Sequence, residues 1–506
     1  MHGVDRSRRI EQACQRTLPA HTLMRRAGLS AARLALALAP HARRVWIAAG
    51  PGNNGGDGLE AALHLQRAGK SILVSLCGDV SRLPDDARDA HARAVAAGVV
   101  ISNQEGPPDP PDIAIDALLG IGATRAPAGT MAGLVAQLNA LRCPVLSLDL
   151  PSGMNADTGQ AYGEDCVVAQ HTLSLLSLKP GLFTGSGRDL AGTVWFDPLE
   201  VDTPTGEASS PDAWLSGAAP VRQAMRPRPH AQHKGSFGDV AVVGGAAGMA
   251  GAALLAARAA LAAGAGRVFV QWLDAAAPTV DPCQPELMLR ADWTSQRPET
   301  LAETTVVCGC GGGDAVRATL PALLGRAARL VLDADALNAV AIDGALQKLL
   351  AARSSARRST VLTPHPLEAA RLLGSSSAQV QDDRLAAARA LAEKFACVVL
   401  LKGSGSVLAA PGRVPHINPT GNASLASAGT GDVLAGLLGA LWSQRRAMSA
   451  GDAAFSAALA AAHLHGSLAD PQACGAVRAG ELIKRIAAAM STPEHPVSRD
   501  RASSTW

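Results

Sequence analysis

The chain has 506 residues, and 46 Lys and Arg against 43 Asp and Glu leave a formal net charge of +3. At about 100–200 residues per domain this length excludes a single small binding module, and the balanced charge gives no electrostatic footprint for nucleic acid. With 7 Trp, 1 Tyr and 6 Phe, the chain also lacks the aromatic residues of base-stacking platforms and membrane-interface belts, so we expect neither nucleic acid nor a membrane as a partner.

The 9 cysteines have no repeating spacing, which predicts no disulfide framework and a reducing, cytoplasmic environment. Cys308 and Cys310 stand close together, but no second pair completes a zinc site, and we interpret both as small buried residues. An apolar run at 27–39 follows two arginines as in a secretory signal. Because Arg33 interrupts that run and a strand pattern follows it, we predict an amphipathic helix instead.

From residue 44 onward, short apolar runs alternate with longer Ala- and Leu-rich segments, which is typical of a parallel α/β sheet. In the first half the predicted strands are 45–49, 72–77, 113–118, 145–148 and 172–176, with helices at 59–68 and 133–141. In the second half the predicted strands are 240–243, 268–271, 306–308, 330–332, 360–362 and 398–401, and a hairpin at 406–417 lies on the sheet edge. Residues 430–490 are predicted to be helical.

Between the two halves, residues 202–214 are rich in Thr, Pro, Gly, Ser and Asp and have no periodicity. This composition is typical of a linker. We therefore predict a first domain at 1–205, a linker at 206–215 and a second domain at 216–490. The polar tail 491–506 is predicted to be disordered.

Directly after the first predicted strand, residues 50–58 contain five glycines and open a helix. Such a loop lets a phosphate approach the backbone N–H groups of a helix N-terminus. The spacing of Gly50, Gly52 and Gly55 also matches a dinucleotide-binding fingerprint, with Asp79 as a ribose-binding acid. The alternative is a tight turn that binds no ligand.

Two further predicted strands of the first half end in acids, Asp116 and Asp149. Ligands of α/β proteins bind at the carboxyl ends of the strands, although an acid there can also simply cap the next helix. Together with the glycine loop, these segments resemble the NAD(P)H-hydrate epimerases, and the resemblance runs from about Met24 to Pro198.

This resemblance implies a Rossmann-like α/β/α sandwich. The residues that it implies for binding the hydrated dinucleotide are Asn53, Asn54, Gly55, Gly56, Asp57, Gly120, Ile121, Gly122, Ala123, Thr124, Arg125, Ala126 and Asp149. By the same resemblance, K⁺ would be held by Asn54, Asp116 and Ser152. Residues 179–181 also match a segment of the family. The stretch after Gly122 lacks the Lys and Asp of some relatives, so we assign no residue to proton transfer.

In the second half, glycines follow the strand at 306–308, and an Asp-Ala-Asp segment at 333–335 follows the next strand. His365 precedes a helix, where it contacts substrate or belongs to the capping turn. The most specific segment is Ala428-Gly429-Thr430-Gly431-Asp432. Its small residues expose N–H groups to an anion at a helix start, with Asp432 beside them as a candidate general base for phosphoryl transfer.

With residues 402–406, this segment resembles the ribokinase-like superfamily, and the whole set of loops resembles the ADP-dependent NAD(P)H-hydrate dehydratases from about Arg226 to Ile486. The resemblance implies a ribokinase-like α/β domain that uses Mg²⁺ and ADP, with Asp432 as the catalytic residue. The implied substrate-binding residues are Ala252, Ala253, Gly311, His365 and Asp432. The implied nucleotide-binding residues are Lys402, Gly403, Ser404, Gly405, Ser406, Gly429, Thr430 and Gly431.

Both halves would then act on one damaged cofactor, since a dehydratase specific for one epimer needs an epimerase to supply it. We expect epimerisation of R- and S-NAD(P)HX and ADP-dependent dehydration of the S form, in a homo-oligomer for which a tetramer is one candidate. One alternative is a ribokinase-like vitamin-precursor kinase fused to a nucleotide-binding domain. The others are a non-enzymatic binding protein and an NAD-dependent dehydrogenase.

Overall fold

The computed structural model describes residues 1–103, 106–107, 109–201, 210–225, 228–295, 298–445, 448–471 and 475–491. The chain divides into two compact units, with Met1–Ala213 in the first and Trp214 at the start of the second. Residues 206–209 of the predicted linker and 492–506 of the predicted tail lie outside the described residues. Within the described parts of the chain, no helix is both long and apolar enough to cross a bilayer.

The first unit alternates strands and helices along the chain. Its strands are β1 (Arg44–Ala49), β2 (Ser71–Leu76), β3 (Val100–Ser102), β4 (Ile113–Ala117), β5 (Val145–Leu148), β6 (His171–Leu175) and β7 (Thr193–Asp197). Its helices are α1 (Val4–Gln15), α2 (Thr22–Leu38), α3 (Asn53–Arg67), α4 (Asp85–Ala96), α5 (Thr130–Ala140) and α6 (Gly187–Leu190).

These strands form a parallel sheet in the order β3-β2-β1-β4-β5-β6-β7. One face of the sheet packs against apolar residues of α2, α3 and α4, and a second core contains Leu134, Val135 and Leu138 of α5. Helices on both faces of a parallel sheet make an α/β/α sandwich. The prediction of a Rossmann-like first domain is confirmed.

The second unit repeats this alternation with more strands. Its strands are β8 (Trp214–Leu215), β9 (Asp239–Gly244), β10 (Arg267–Trp272), β11 (Met288–Leu289), β12 (Thr304–Cys308), β13 (Arg329–Leu332), β14 (Ser359–Leu362), β15 (Val398–Leu401), β16 (Val407–Ala409) and β17 (His416–Ile417). Its helices are α7 (Ala219–Ala224), α8 (Ala250–Ala262), α9 (Pro298–Glu303), α10 (Leu320–Arg326), α11 (Ala334–Ile342), α12 (Gly344–Ala352), α13 (Pro366–Leu373), α14 (Ser377–Asp382), α15 (Arg384–Phe395), α16 (Thr430–Ser443), α17 (Ala450–Ser467) and α18 (Ala479–Ser491).

The described strands of this unit form one sheet in the order β11-β10-β9-β12-β13-β14-β15-β16-β17-β8. The sheet is parallel from β11 to β15, and β16 and β17 make the predicted antiparallel hairpin. The main core packs α8, α16 and α17 on this sheet, and Gly436 of α16 lies directly against the backbone of Ala256 of α8. The α/β class predicted for the second domain is confirmed.

The junction of the two units differs from the predicted linker. Trp214 and Leu215 form β8, which pairs with β17 at the edge of the second sheet, so the hairpin is not the outermost element. Before the junction, the Ala213 carbonyl accepts from the Met1 amine at 2.8 Å, and Asp212 accepts from the Gly3 N–H at 2.9 Å. Both described flanks of the predicted linker therefore take part in folded structure.

The remaining differences have local causes. Helix α3 begins at Asn53, six residues before the predicted start, because the glycines at 55, 56 and 58 are themselves helical. Strands β3 and β7 were not predicted, and neither is fully buried.

Because each unit has its own sheet and core, residues 1–213 and 214–506 expressed separately should each fold. We expect each to show a cooperative thermal transition by circular dichroism. A second fragment starting at Ser216 lacks β8 and should melt at a lower temperature than the one starting at Trp214. Loss of cooperative melting in both halves would contradict this division.

Candidate active sites

The first unit contains a cavity of about 480 Å³ at the carboxyl ends of its central strands. The start of α3 and the segments that follow β1, β4, β5 and β6 meet there, and α1 contributes a further wall. The lining includes these predicted substrate-binding residues: Asn53, Asn54, Asp57, Gly120, Ile121, Gly122, Ala123 and Asp149. The segments after β1, β4 and β5, to which the sequence assigned these residues, therefore line one cavity.

The glycine loop packs backbone directly on backbone. A Cβ at Gly50 would overlap the Leu118 carbonyl, and a Cβ at Gly55 would overlap the Gly50 carbonyl, whereas a Cβ at Gly52 would meet nothing within 4 Å. Gly56 also has no room for a side chain, because a Cβ there would overlap the Met24 side chain. Close approach of β1, β4 and α3 therefore requires glycine at specific positions of the loop.

Asp116 ends β4 as a fully buried carboxylate. One of its oxygens accepts from the Ser152 hydroxyl at 2.6 Å and the Leu118 N–H at 3.2 Å, and the other accepts from the Ser147 hydroxyl at 2.8 Å and the Ser152 N–H at 2.9 Å. Burial raises the pKa of Asp116 despite these bonds. No ion pair involves it among the described residues, and it ties β4 to the loop after β5 instead of capping a helix.

Asn54 is buried near the same loops, and neither its amide oxygen nor its amide nitrogen has a hydrogen-bond partner among the described residues. A Cβ added at Gly120 would lie 3.4 Å from the Asn54 side chain and 3.3 Å from a carboxylate oxygen of Asp149. Buried amides are nearly always hydrogen bonded. An unpartnered one beside a cavity therefore indicates a ligand-binding position.

Asp149 is held by a lysine that the sequence did not single out as a site residue. The Lys179 ammonium, which is 1% exposed, forms an ion pair with Asp149 and donates to the Leu175 carbonyl at 2.8 Å. The other Asp149 oxygen accepts from the Ile121 N–H at 3.3 Å. Asp149 has φ of 66°, a left-handed conformation that costs a non-glycine residue about 1–3 kcal/mol. Strain of this kind is typical of functional sites.

The opposite wall of the cavity carries further acids. Burial, together with the carboxylates of Asp149 and Glu11, raises the pKa of Asp57 well above its ordinary value. Burial and Asp149 also raise the pKa of Glu11, which belongs to α1 and was absent from the prediction. Thr124 and Arg125 are exposed, and with Ala126 they lie outside the residues that line the cavity.

In the second unit, Asp333 at the end of β13 meets Lys402 at the end of β15, with 2.6 Å between the ammonium and the carboxylate. Burial lowers the pKa of Lys402, but Asp333 and Glu368 outweigh that effect, so the pKa is raised. A Cβ at Gly431 would lie 3.6 Å from the Lys402 ammonium. The predicted anion-binding loop and its nearest cation are therefore adjacent.

Asp432 lies in the first turn of α16 beside a buried thiol. The Sγ of Cys310 and one carboxylate oxygen each of Asp333 and Asp432 are within 4.8 Å of one another, and the thiol hydrogen-bonds Asp432. Burial and the charge of Asp333 raise the pKa of Asp432 to about 6. A carboxylate with that pKa is suited to act as a general base near neutral pH.

His365 caps α13. Its Nδ1 accepts from the Leu367 N–H at 3.1 Å and the Glu368 N–H at 3.3 Å, and its Nε2 lies 3.2 Å from a Glu368 oxygen. The capping alternative therefore accounts for both ring nitrogens. Burial raises the pKa of Glu368 to about 7 and lowers the pKa of His365.

The other predicted residues of the second unit lie in three places. Gly311, at φ of 58°, packs against Ala252 at the start of α8, but the Ala253 side chain lies in the core. Gly403, Ser404 and Ser406 follow β15 in the loop that contains Lys402. The Thr430 hydroxyl donates to the Leu425 and Ser427 carbonyls, so it stabilises the loop before α16.

Comparisons with known proteins cover both units. A family model described as NAD(P)H-hydrate dehydratase matches residues 240–488, and one described as YjeF-related protein N-terminus matches 20–181. The bifunctional NAD(P)H-hydrate repair enzyme of Escherichia coli (strain K12) is 34% identical over 466 residues, which is 90% of this chain and 85% of that protein. The chain belongs to the family of bifunctional NAD(P)H-hydrate repair enzymes.

A member of this family from Leishmania braziliensis is 36% identical over 94% of this chain and 90% of its own. Among solved structures, an ADP/ATP-dependent NAD(P)H-hydrate dehydratase from Bacillus subtilis, co-crystallised with ATP/Mg²⁺, is 27% identical, with a TM-score of 0.45 over 55% of this chain and 99% of that one. The predicted family is confirmed. The kinase, dehydrogenase and binding-protein alternatives are not favoured, since members match across both halves.

For this repair-enzyme chain, Gly55→Ala should lower the free energy of unfolding much more than Gly52→Ala. Gly55→Ala forces a methyl group onto the Gly50 carbonyl, and overpacking of this kind typically costs about 1–3 kcal/mol. Gly52→Ala has open space and changes only the N-cap of α3, so it should cost less, about 0.5–1 kcal/mol. Denaturant unfolding of the 1–213 fragment would measure both, and equal stabilities would contradict the close backbone packing.

Proposed function

We propose that this chain repairs hydrated nicotinamide dinucleotides in two steps. The first unit interconverts the R and S epimers of hydrated NADH and NADPH, and the second dehydrates the S epimer to NADH or NADPH at the expense of ADP. The observation that carries the proposal is the match of one bifunctional family to 90% of the chain, with carboxylate-containing sites in both units.

In the second unit, we assign Asp432 as the general base that takes the proton of the substrate hydroxyl. The hydroxyl oxygen then bonds to the terminal phosphorus of ADP, and AMP leaves. The N–H groups of residues 429–431 and the Lys402 ammonium, near Gly431, stabilise the charge on the transferring group. The C–O bond next breaks with loss of phosphate, and loss of a proton from the neighbouring carbon restores the double bond.

The same unit contains acids that suit Mg²⁺, which prefers carboxylate oxygens and the phosphates of its nucleotide. Carboxylate oxygens of Asp333 and Asp432 lie within 4.8 Å of each other, so Asp333 would hold the ion with the phosphates close to the base. The Cys310 thiol in the same cluster is too soft a ligand for Mg²⁺. When bound, the ion would neutralise phosphate charge.

We assign the remaining predicted residues as binding groups. Gly311 and Ala252 lie together where the substrate would approach Asp432, while the buried methyl of Ala253 supports its segment from the core. His365 would act through its capping turn. In the first unit, the residues that line the cavity would bind the hydrated ring, and residues 124–126 would contact parts of the dinucleotide outside it.

In the first unit, Asn54, Asp116 and Ser152 offer oxygen atoms, which are the kind of ligand that suits K⁺. Asn54 offers an unpartnered buried oxygen, and Asp116 supplies a buried charge without a cationic partner among the described residues. The Ser152 hydroxyl donates to Asp116 and accepts from the Leu119 N–H, which leaves one lone pair. When bound, the ion would compensate the charge of Asp116 and fix the start of α3.

Two further predictions accompany the function. A cytoplasmic location is expected of a chain whose 8 cysteines within the described residues are all free thiols. We also predict a homo-oligomer, with the tetramer as one candidate. The mass in solution would test this prediction.

Incubation with chemically hydrated NADH and ADP should restore the absorbance of reduced nicotinamide. Asp432→Asn removes the base and should slow this reaction about 10²–10⁴-fold, while Asp382→Asn, an exposed acid of the same unit, should change nothing. In the parent, kcat/KM should fall about tenfold per pH unit below about 6, where Asp432 becomes protonated. A parent without activity would disprove the function, and an Asp432→Asn variant at the parental rate would disprove the assignment.

Asp116→Asn should abolish the dependence of epimerisation on K⁺, because it removes the only formal charge among the assigned ligands. Ser147→Ala removes one hydrogen bond to the same carboxylate and keeps its charge, so it should lower stability by about 1–3 kcal/mol and keep the K⁺ response. Epimer interconversion without ADP, measured against K⁺ concentration, would test both. An unchanged K⁺ response in folded Asp116→Asn would contradict the site.

A further inference from the structure

Two carboxyl groups face the cavity of the first unit in different electrostatic situations. Asp149 forms an ion pair with the Lys179 ammonium and accepts from the Ile121 N–H. The Asp57 carboxyl group takes part in no hydrogen bond or ion pair among the described residues. Carboxyl groups that differ in this way in one site are typically divided between the roles of acid and base.

The surroundings of Asp57 favour its protonated form. The acids that face it are Asp149 after β5, Glu11 on α1, Asp86 on α4 and Glu60 on its own helix. Among the cavity's cations, Lys179 is committed to Asp149, and the other cation in the lining is Arg8. Burial and this surplus of acids raise the pKa of Asp57 well above its ordinary value, which favours the form that has a proton to donate.

The chemistry of the hydrate determines what such a pair can do. Water adds to an enamine double bond at the carbon next to nitrogen, because the nitrogen lone pair stabilises positive charge there. Loss of the hydroxyl as water therefore leaves a C=N cation that is planar at the former stereocentre. A cavity with four acids and two basic residues in its lining stabilises that cation.

We propose that epimerisation proceeds by loss and re-addition of water, with Asp57 as general acid and Asp149 as general base. Asp57 gives its proton to the hydroxyl, the C–O bond breaks with its electron pair on oxygen, and water departs. A water molecule then attacks the opposite face, the new C–O bond forms, and the extra proton passes to Asp149. Solvent returns one proton from Asp149 to Asp57. Lys179 is a positioning residue that holds Asp149.

This inference rests on the proposed epimerase function. The parent should interconvert R and S hydrates without ADP faster than a protein-free control, and failure at that step would contradict the function itself. In water labelled with ¹⁸O, each interconversion by the parent should place one solvent oxygen in the product. Interconversion without label would overturn water loss and indicate that the ring opens and closes with its oxygen retained.

Asp57→Asn and Asp149→Asn should each lower kcat for epimerisation about 10²–10⁴-fold. We expect KM to change less than threefold, since the asparagine keeps the shape of the side chain. Asp109→Asn, an exposed acid of the same unit whose side chain is 72% exposed, is the matched control and should retain the parental kcat. Circular dichroism would confirm folding of all variants.

Lys179→Met is the second arm, because it tests the ion pair without changing either carboxyl group. It should lower kcat through Asp149 and leave incorporation of ¹⁸O at one oxygen per turnover. Folded Asp57→Asn with the parental kcat would overturn the assignment of the acid. A rise in KM alone in Asp57→Asn would indicate binding and would equally overturn it.

Discussion

The burial of carboxylates at the ends of parallel strands is the constraint on which both sites depend. Removing an ionised carboxylate from water costs several kcal/mol unless hydrogen bonds or a cation compensate. Asp149 and Asp333 each follow a strand and each form an ion pair with one lysine, Lys179 and Lys402 respectively. Asp116 has hydroxyl and backbone donors in place of a cation. These contacts fix the loops that form the two sites.

The two units share an electrostatic plan although their sheets differ in strand order. In each, a lysine forms an ion pair with one carboxylate, while a second acid, Asp57 or Asp432, lies in the first turns of a helix and forms no ion pair among the described residues. The pKa of both unpaired acids is raised, mainly by burial. The extent differs, because the pKa of Asp432 is raised to about 6 and that of Asp57 is raised well above its ordinary value. In our proposals, one arrangement thus supplies a base in one unit and an acid in the other.

Much of the fold and of both sites could be predicted from the sequence, because glycines and acids that follow apolar runs indicate the carboxyl edge of a parallel sheet. The central strands and both glycine-rich loops were predicted for that reason. Lys179 and Glu11 were missed as site residues, because neither follows the pattern of an acid or glycine at a strand end. The roles of His365 and Ala253 could not be predicted either. Only three-dimensional contacts show that His365 caps a helix and that the Ala253 methyl group lies in the core.

The central claim is that one chain performs both reactions on one damaged cofactor. The most direct measurement incubates the intact chain with a defined mixture of R- and S-hydrates of NADH and excess ADP until the absorbance of reduced nicotinamide stops rising. A parallel run with only the 214–506 fragment measures spontaneous epimerisation, which is subtracted. The intact chain should restore the whole mixture at a steady rate beyond the amount of S hydrate initially present. A rise that stops at the S fraction, or slows there to the rate of the fragment, would contradict the account.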